Sequence, residues 1–135
     1  MSKIFSLSEA GSIAIHSMVL IAKAENGINV LKISERTGSS RHHVAKVLQR
    51  LAKDDFLYSN RGPHGGFKLK KPPEQISLLE IYEAIEGKIV VSECPMESPI
   101  CPFDKCIFGN IITEMTQKFK DFLDDSKLVD FLHGY

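Results

Sequence analysis

The feature that most restricts the fold is a pair of short amphipathic segments, separated by a glycine, within residues 30–53. The first segment ends at Gly38, and Ser39 and Ser40 can cap a second helix. In this second segment, apolar residues recur at i, i+3, i+4 and i+7, which predicts one buried helical stripe. The stripe consists of Val44, Val47, Leu48 and Leu51. Two helices joined by a tight, glycine-containing turn are typical of a helix-turn-helix.

The polar face of the second helix is basic. His42, Lys46 and Arg50 follow one another at i, i+4 and i+8, and Arg41 and His43 lie beside them. Such a helix can enter the major groove of DNA and contact base edges and phosphates. An exposed amphipathic helix with no ligand would show the same pattern, so the helix alone leaves both interpretations open.

A predicted β-hairpin follows directly. Residues 56–59 and 67–70 are predicted strands, and the second alternates apolar and basic side chains. The connection, residues 60–66, contains three glycines and a proline, which indicates a hairpin tip. A hairpin placed after a helix-turn-helix forms a wing, whose tip can follow the DNA backbone or insert an arginine into the minor groove. The side chains here that would extend toward DNA are Arg61, His64 and Lys68.

The charge distribution favours a polyanionic partner for this region. The net charge is zero, but residues 41–71 contain eight basic and two acidic residues and so carry +6. Residues 1–40 carry +1 and residues 74–135 carry −7. A basic block of this kind is a possible electrostatic footprint for nucleic acid, although a solvated charged surface remains an alternative.

Further helices are predicted on both sides of this region. Ser6 and Glu9 have the spacing of a capping box and would open a first helix that extends to about Ala24. Ser77 and Glu80 have the same spacing and would open another helix, through about residue 86.

A long helix is predicted from about residue 107 to residue 123. Its apolar residues are spaced 4, 3, 4 and 3, which is the pattern of a seam that packs against another helix. The seam consists of Phe108, Ile112, Met115, Phe119 and Phe122. Packing inside the monomer is the alternative, but we favour a homodimer, because two winged units would match a two-fold DNA site.

All three cysteines of the chain, Cys94, Cys101 and Cys106, lie in one proline-rich stretch with the spacing C-x6-C-x4-C. The start of the chain lacks a signal region, and its longest apolar run is too short for a membrane span, so we expect a cytoplasmic protein without membrane contact. Clustered thiols in that compartment favour metal or redox chemistry over a structural disulfide. Thiolates suit iron–sulfur clusters and zinc, while three reduced cysteines without metal are the alternative.

Several stretches resemble one bacterial family. They are "L-S-E-A-G-S-I-A-I-H-S-M-V-L-I-A", "V-A-K-V-L-Q-R-L", "R-G-P-H-G-G-F" and "I-S-L-L-E-I-Y-E-A-I-E-G". They resemble the Rrf-type winged-helix regulators, which include IscR-like and NsrR-like iron–sulfur regulators and CymR-like proteins. The resemblance covers essentially the whole chain. It implies a homodimer formed through the long C-terminal helix, and a cluster bound by the three cysteines that alters DNA binding.

The resemblance also indicates which residues would contact DNA, on the second helix of the helix-turn-helix and on the wing. The expected contacts are Ser40, Arg41, His42, His43, Lys46, Arg50, Arg61, Gly62, His64, Gly65, Gly66 and Lys68.

The fourth ligand of such a cluster stays open. Some relatives place a histidine three residues after the third cysteine, where this chain has Gly109. In others an acidic residue in the partner's first helix reaches across, and the corresponding residue here is Ser12. The candidates are therefore Glu9, His16 and Asp104. An open position is an alternative, and so is a partly buried His16 that binds no metal.

These observations predict a mainly α fold with a small β-hairpin wing. Residues 1–87 would form a winged helix-turn-helix domain, residues 88–106 the cysteine loop, and residues 107–135 the dimerisation helix and tail. The expected function is a dimeric regulator that binds double-stranded DNA, with operator affinity controlled by a two-iron or four-iron cluster. The alternatives are a cluster-free repressor with a thiol switch and a small electron-transfer protein. No nucleophile–base constellation indicates an enzyme.

Overall fold

The computed structural model describes residues 2–62, 65–91 and 101–135. Within these ranges the chain is mainly helical, with one antiparallel two-stranded hairpin, as the sequence predicts. These ranges also contain two short 3-10 helices, Pro73–Gln75 and Leu128–Phe131. The elements are α1 Glu9–Lys23, α2 Val30–Thr37, α3 Arg41–Lys53, β1 Leu57–Asn60, β2 Gly66–Leu69, α4 Leu78–Glu86 and α5 Ile111–Asp125.

The ends of α2, α3 and α4 match their sequence signals. Gly38 ends α2 in the left-handed conformation, with φ of 72°, and the Ser40 hydroxyl accepts the His43 amide at 3.1 Å to cap α3. At α4, the predicted capping box forms: the Glu80 amide donates to Ser77 Oγ, and the Ser77 amide donates to the Glu80 carboxylate, each at 3.1 Å. Local side-chain chemistry therefore sets these three boundaries.

The start of α1 differs from the prediction. Ser8, and not Ser6, is the capping residue, because its hydroxyl accepts the Gly11 amide at 3.0 Å. Ser8 also donates from that hydroxyl to Glu86 Oε1 at 2.5 Å. This contact with α4 is invisible in the local sequence, and it gives Ser8 a tertiary partner in addition to its capping role.

One hydrophobic core joins α1, α3, α4, the hairpin and the C-terminal segment. The predicted stripe of α3 is fully or almost fully buried. The C-terminal segment joins the same core through Leu123 and Leu128. The Leu78 amide donates to the Ser126 carbonyl at 2.9 Å, and the Leu128 amide donates to the Ile76 carbonyl at 3.0 Å. The end of the chain thus packs against the helix-turn-helix unit.

Helix α5 begins later than predicted. Gly109 and Asn110 both adopt the left-handed conformation, with φ of 59° and 64°, so residues 107–110 form a turn and the helix starts at Ile111. Phe108, predicted to be the first seam residue of the helix, lies in that turn and is 43% exposed. The prediction that Phe108 is helical is wrong, because two consecutive left-handed residues cannot continue a right-handed helix.

Among the described residues, no helix is both long enough and apolar enough to cross a membrane.

Candidate nucleic-acid interface and cysteine segment

The outer face of α3 is exposed and basic. His42, Lys46 and Lys53 lie on the side opposite the buried stripe, and Arg50 lies at the edge of that side. The sequence analysis missed Gln49, which lies on the same exposed face between His42 and Lys53. A glutamine amide can pair with an adenine edge. Because glutamine is uncharged, only its position on the helix, and not its charge, could have indicated this residue. We call His42, Lys46, Gln49, Arg50 and Lys53 the basic face of α3.

The His43 side chain faces α1. Its Nδ1 lies 3.4 Å from Oε1 of Glu9, the first residue of α1, and the His43 side chain is only 33% exposed. Ser40 caps the helix through the His43 amide, and Arg41 is exposed at the first helical position. Among the predicted DNA contacts at this end, Arg41 and His42 are therefore exposed, whereas His43 contacts Glu9 of α1.

The wing presents a second basic surface beside α3. Tyr58 on β1 pairs with Lys68 on β2, and both side chains are exposed. Lys70 donates to Asp55 at 2.9 Å, and its ammonium lies 5.4 Å from the centre of the Tyr58 ring. The hydrogen bond and charge of Lys70 lower the pKa of Asp55, and Asp55 in turn raises the pKa of Lys70. Lys70 is thus engaged within the wing, and Lys68 makes no ion pair among the described residues.

The tip of the wing is only partly within the described residues. Arg61 and Gly62 are exposed at its start, and Gly62 has φ of 110°. The predicted contact His64 lies outside the described residues. A Cβ on Gly65 would lie 2.6 Å from the Asn60 carbonyl oxygen, so the hairpin closes only with a glycine there.

Gly66 allows the wing to approach the loop between α1 and α2. A Cβ at this position would lie 2.7 Å from the Ile28 carbonyl oxygen. Ile28 pairs with Phe67 through backbone hydrogen bonds, so the base of the wing is fixed to the helix-turn-helix unit. The close approach of the two backbones therefore requires a glycine at this position.

Two of the three cysteines lie within the described residues. Cys101 and Cys106 both carry exposed free thiols. The backbone amide of Asn110, followed by that of Phe108, lowers the pKa of the Cys106 thiol by hydrogen bonding to its sulfur. The left-handed turn at Gly109 and Asn110 brings these amides back toward Cys106. Cys94 lies outside the described residues, so the full ligand set is not assembled within them.

The three candidate fourth ligands have different surroundings. Glu9 is paired with His43, and Asp104 is exposed. His16 is exposed, and its Nδ1 lies 2.7 Å from the Ser12 carbonyl, which can only accept, so Nδ1 carries a proton and Nε2 is the nitrogen that has the lone pair in the neutral ring. In the described parts of the chain, no three His, Cys, Asp or Glu residues lie together as a metal site.

The predicted seam of α5 divides between two faces. Phe119 packs edge-on against Tyr82 of α4, with ring centres 6.3 Å apart, and the neighbouring Leu123 is buried. Ile111, Met115 and Phe122 lie on another side, where Phe122 is 59% exposed. We call these three residues the outer stripe of α5. Ile112 is half-buried beside the inner face.

The chain is similar to known transcriptional regulators. IscR of Cronobacter sakazakii is 27% identical over 130 residues, covering 95% of this chain and 80% of that protein. IscR of Klebsiella pneumoniae is 26% identical over the same coverage. Both relatives are transcriptional regulators of the helix-turn-helix type, in agreement with the absence of an enzymatic signature in the sequence.

Solved structures show the same fold. CymR, the global cysteine regulator of B. subtilis, superposes with a TM-score of 0.75 at 22% identity, covering 96% of this chain and 97% of that one. IscR of T. potens superposes with a TM-score of 0.73 at 22% identity, covering 96% of this chain and 87% of that one. The oxidised form of CymR from Staphylococcus aureus superposes with a TM-score of 0.73 at 25% identity, covering 97% of this chain and 98% of that one.

The sequence model of Rrf2, described as an iron-dependent transcriptional regulator, matches residues 7–134. The basic face of α3, the wing beside it and the coverage of nearly the whole chain agree with this match. The chain therefore belongs to the Rrf2 family of winged-helix, DNA-binding transcription regulators.

Proposed function

We propose that this regulator binds an operator as a homodimer and that its three cysteines hold an iron–sulfur cluster that controls operator affinity. The observation that carries the DNA-binding part is the basic face of α3 beside a wing fixed by the Ile28–Phe67 pairing. The basic face would enter the major groove, while Arg61 and Lys68 would contact the backbone on one side of it. Because the target is chromosomal DNA, we also propose a cytoplasmic location.

The residues of the cysteine segment suit an iron–sulfur cluster. Cys101 and Cys106 are exposed, and backbone amides stabilise the thiolate form of Cys106, which is the form that binds metal. Cys94 would be the third ligand. The cluster, when bound, would supply a group whose charge and integrity respond to redox state, iron supply or nitric oxide.

Cys106 is well placed to transmit a change to the rest of the protein. It lies five positions before Ile111, the first residue of α5, and the Ile111 amide donates to the Phe108 carbonyl at 3.1 Å within the intervening turn. Tyr82 of α4 contacts Phe119 of α5. Restraining Cys106 therefore restrains the turn and the start of α5, which packs on the DNA-binding unit.

For the fourth ligand we favour His16, supplied by the partner subunit. Its Nδ1 proton is held by the Ser12 carbonyl, which orients the ring and leaves Nε2 available, an arrangement common to metal-binding histidines. Glu9 is less suited because it pairs with His43. Asp104 is the candidate that would act within one subunit.

The outer stripe of α5 is proposed as the dimer contact. Ile111 and Phe122 are large apolar side chains that the described chain leaves exposed on one side of the helix. Pairing this stripe with its twin would bury both copies and place two basic faces in a two-fold arrangement. Phe108, in the preceding turn, would extend the contact.

A thiol-switched regulator without a cluster is the second candidate. The lowered pKa of Cys106 also favours oxidation chemistry, because the thiolate is the reactive form. The structural similarity to an oxidised CymR supports keeping this candidate. An electron-transfer role has less support, because it would leave the basic face and the wing without a purpose.

Anaerobic purification decides between these candidates. We expect a coloured protein that contains iron and sulfide, and we expect Cys106→Ser to lose both while keeping its far-ultraviolet circular dichroism. Ser92→Ala, shortly before Cys94 in the sequence, is the matched control and should keep the metal. A colourless protein that takes up no iron after reconstitution, but whose operator affinity changes with thiol oxidation, would establish the second candidate.

A further inference from the structure

The first turn of α1 lies between the end of α4 and the start of α3. Ser8 donates to Glu86 Oε1, on the last residue of α4, at 2.5 Å. The next residue, Glu9, places Oε1 at 3.4 Å from Nδ1 of His43, in the first turn of α3. Two adjacent residues therefore contact two different helices.

Helices α1 and α4 pack closely below this turn. A Cβ on Gly11 would lie 3.0 Å from Ser8 Oγ and 3.3 Å from the Tyr82 ring of α4. Ser8 Oγ also accepts the Gly11 amide and so orders the turn itself. A shift of α4 would therefore displace Ser8, and Glu9 with it, instead of being absorbed by a loose interface.

The segment that leaves α4 is attached to the same helix end. Gly87 follows α4 directly, and the Ile89 amide donates to Glu83 Oε2 at 2.8 Å. In the sequence, the first cysteine follows this segment. The end of α4 is thus the place where the cysteine segment meets the DNA-binding unit.

We propose that Ser8 and Glu9 are positioning residues that set the orientation of α3 relative to the end of α4. Glu9 holds α3 through His43, and Ser8 holds α4 through Glu86. Neither residue needs to touch DNA. The proposal rests on DNA binding by α3 and holds whether or not the cysteines carry a metal, so it can fail independently of the proposed function.

Amide hydrogen exchange tests the link without any ligand. Glu86→Ala removes a side chain with no hydrogen bond or ion pair to α3 among the described residues, yet we expect exchange at the hydrogen-bonded amides of residues 43–44 to become about threefold faster. Glu9→Gln should give a similar increase. The double variant should show no further increase, because both changes interrupt one link. Glu86→Gln keeps an acceptor for Ser8 and should restore the wild-type rate.

Glu74→Ala is the matched control, since Glu74 is an exposed carboxylate outside this link. It should leave exchange at residues 43–44 unchanged. Unchanged exchange in both Glu86→Ala and Glu9→Gln would overturn the proposal, and so would increases that simply add in the double variant.

Operator binding gives the functional measure. With a duplex selected from a random library by the wild-type protein, Glu9→Gln and Glu86→Ala should each weaken binding by about threefold, and together by no more than one of them. The salt dependence should stay the same, because no phosphate contact is lost. A flatter salt dependence in Glu9→Gln, or equal affinity in all variants, would contradict a positioning role.

Discussion

Ile28 and Phe67 are joined by two backbone hydrogen bonds, with the Ile28 amide 3.2 Å from the Phe67 carbonyl and the Phe67 amide 2.8 Å from the Ile28 carbonyl. This isolated bridge attaches the loop between α1 and α2 to the edge of the wing. This pairing fixes the wing relative to α3, because both belong to the same buried core. The two surfaces proposed to contact DNA are therefore attached to one core.

The close approach at this pairing makes Gly66→Ala a test of wing placement. The added Cβ would lie 2.7 Å from the Ile28 carbonyl oxygen, so the backbone must shift. We expect a loss of about 1–3 kcal/mol in the free energy of unfolding, as for other overpacked sites. Operator affinity should fall by more than this loss of stability explains, because the displaced wing would contact DNA poorly. Chemical denaturation and fluorescence anisotropy measure the two effects.

Ser59→Ala is the matched control for Gly66→Ala, because Ser59 is an exposed wing residue directly opposite Phe67 in the hairpin. It changes strand composition without a backbone clash. We expect stability within about 0.5 kcal/mol of wild type. If Gly66→Ala were as stable and as tightly bound to DNA as Ser59→Ala, the pairing at Ile28 would not place the wing.

Phosphate contacts by the basic surfaces should appear in the salt dependence of operator binding. Lys46, Arg50, Arg61 and Lys68 make no ion pair with any other described residue, so their charges are available to DNA. Replacing one contacting residue by alanine should weaken binding and reduce the slope of log affinity against log salt by about one charge. Lys118→Ala, on α5, should leave the slope unchanged. Four unchanged slopes would mean that DNA binds elsewhere.

The sequence predicts the DNA-binding unit well because its signals are local. Gly38, Ser40 and the Ser77–Glu80 box each fix a helix boundary through contacts within a few residues. The buried stripe of α3 likewise follows from helical period alone. Such features need no knowledge of the remaining chain.

The differences arise where tertiary contacts decide. Ser8 caps α1 instead of Ser6. Of these two serines, only Ser8 donates to Glu86, which belongs to α4, a helix far away in sequence but in contact with α1. The apolar period of α5 does not reveal that Phe119 packs on Tyr82 while Phe122 stays exposed. No local pattern indicates that His43 contacts Glu9. Periodicity identifies apolar faces, but it does not identify their partners.

The turn after Cys106 predicts a reactive thiol. Because backbone amides, that of Asn110 first, lower the pKa of Cys106, its thiolate should form at lower pH in the folded protein than in the denatured chain. In metal-free, reduced protein, the rate of alkylation by iodoacetamide should therefore rise at lower pH when the chain is folded. Mass spectrometry of the Cys106 peptide measures both curves. Coincident folded and denatured curves would remove the support for a stabilised thiolate.

The proposed dimer predicts opposite behaviour for two neighbouring residues of α5. Phe122 is 59% exposed and belongs to the outer stripe, whereas Leu123 is 3% exposed and lies in the core of its own chain. Phe122→Glu should dissociate the dimer and leave the monomer folded, because the new charge would be buried only in the dimer. Leu123→Ala should instead cost about 2–5 kcal/mol of folding stability by creating a cavity.

Sedimentation velocity and thermal melting separate these outcomes. At concentrations where the wild type sediments as a dimer, Phe122→Glu should sediment as a folded monomer. Under conditions where Leu123→Ala is partly unfolded, Phe122→Glu should bind an operator half-site more tightly than Leu123→Ala does. Asp124→Ala, at an exposed position on the other side of the same helix, should remain dimeric. A dimeric Phe122→Glu would place the subunit contact on another surface, and the two-fold arrangement of the basic faces would then have to be built from that surface.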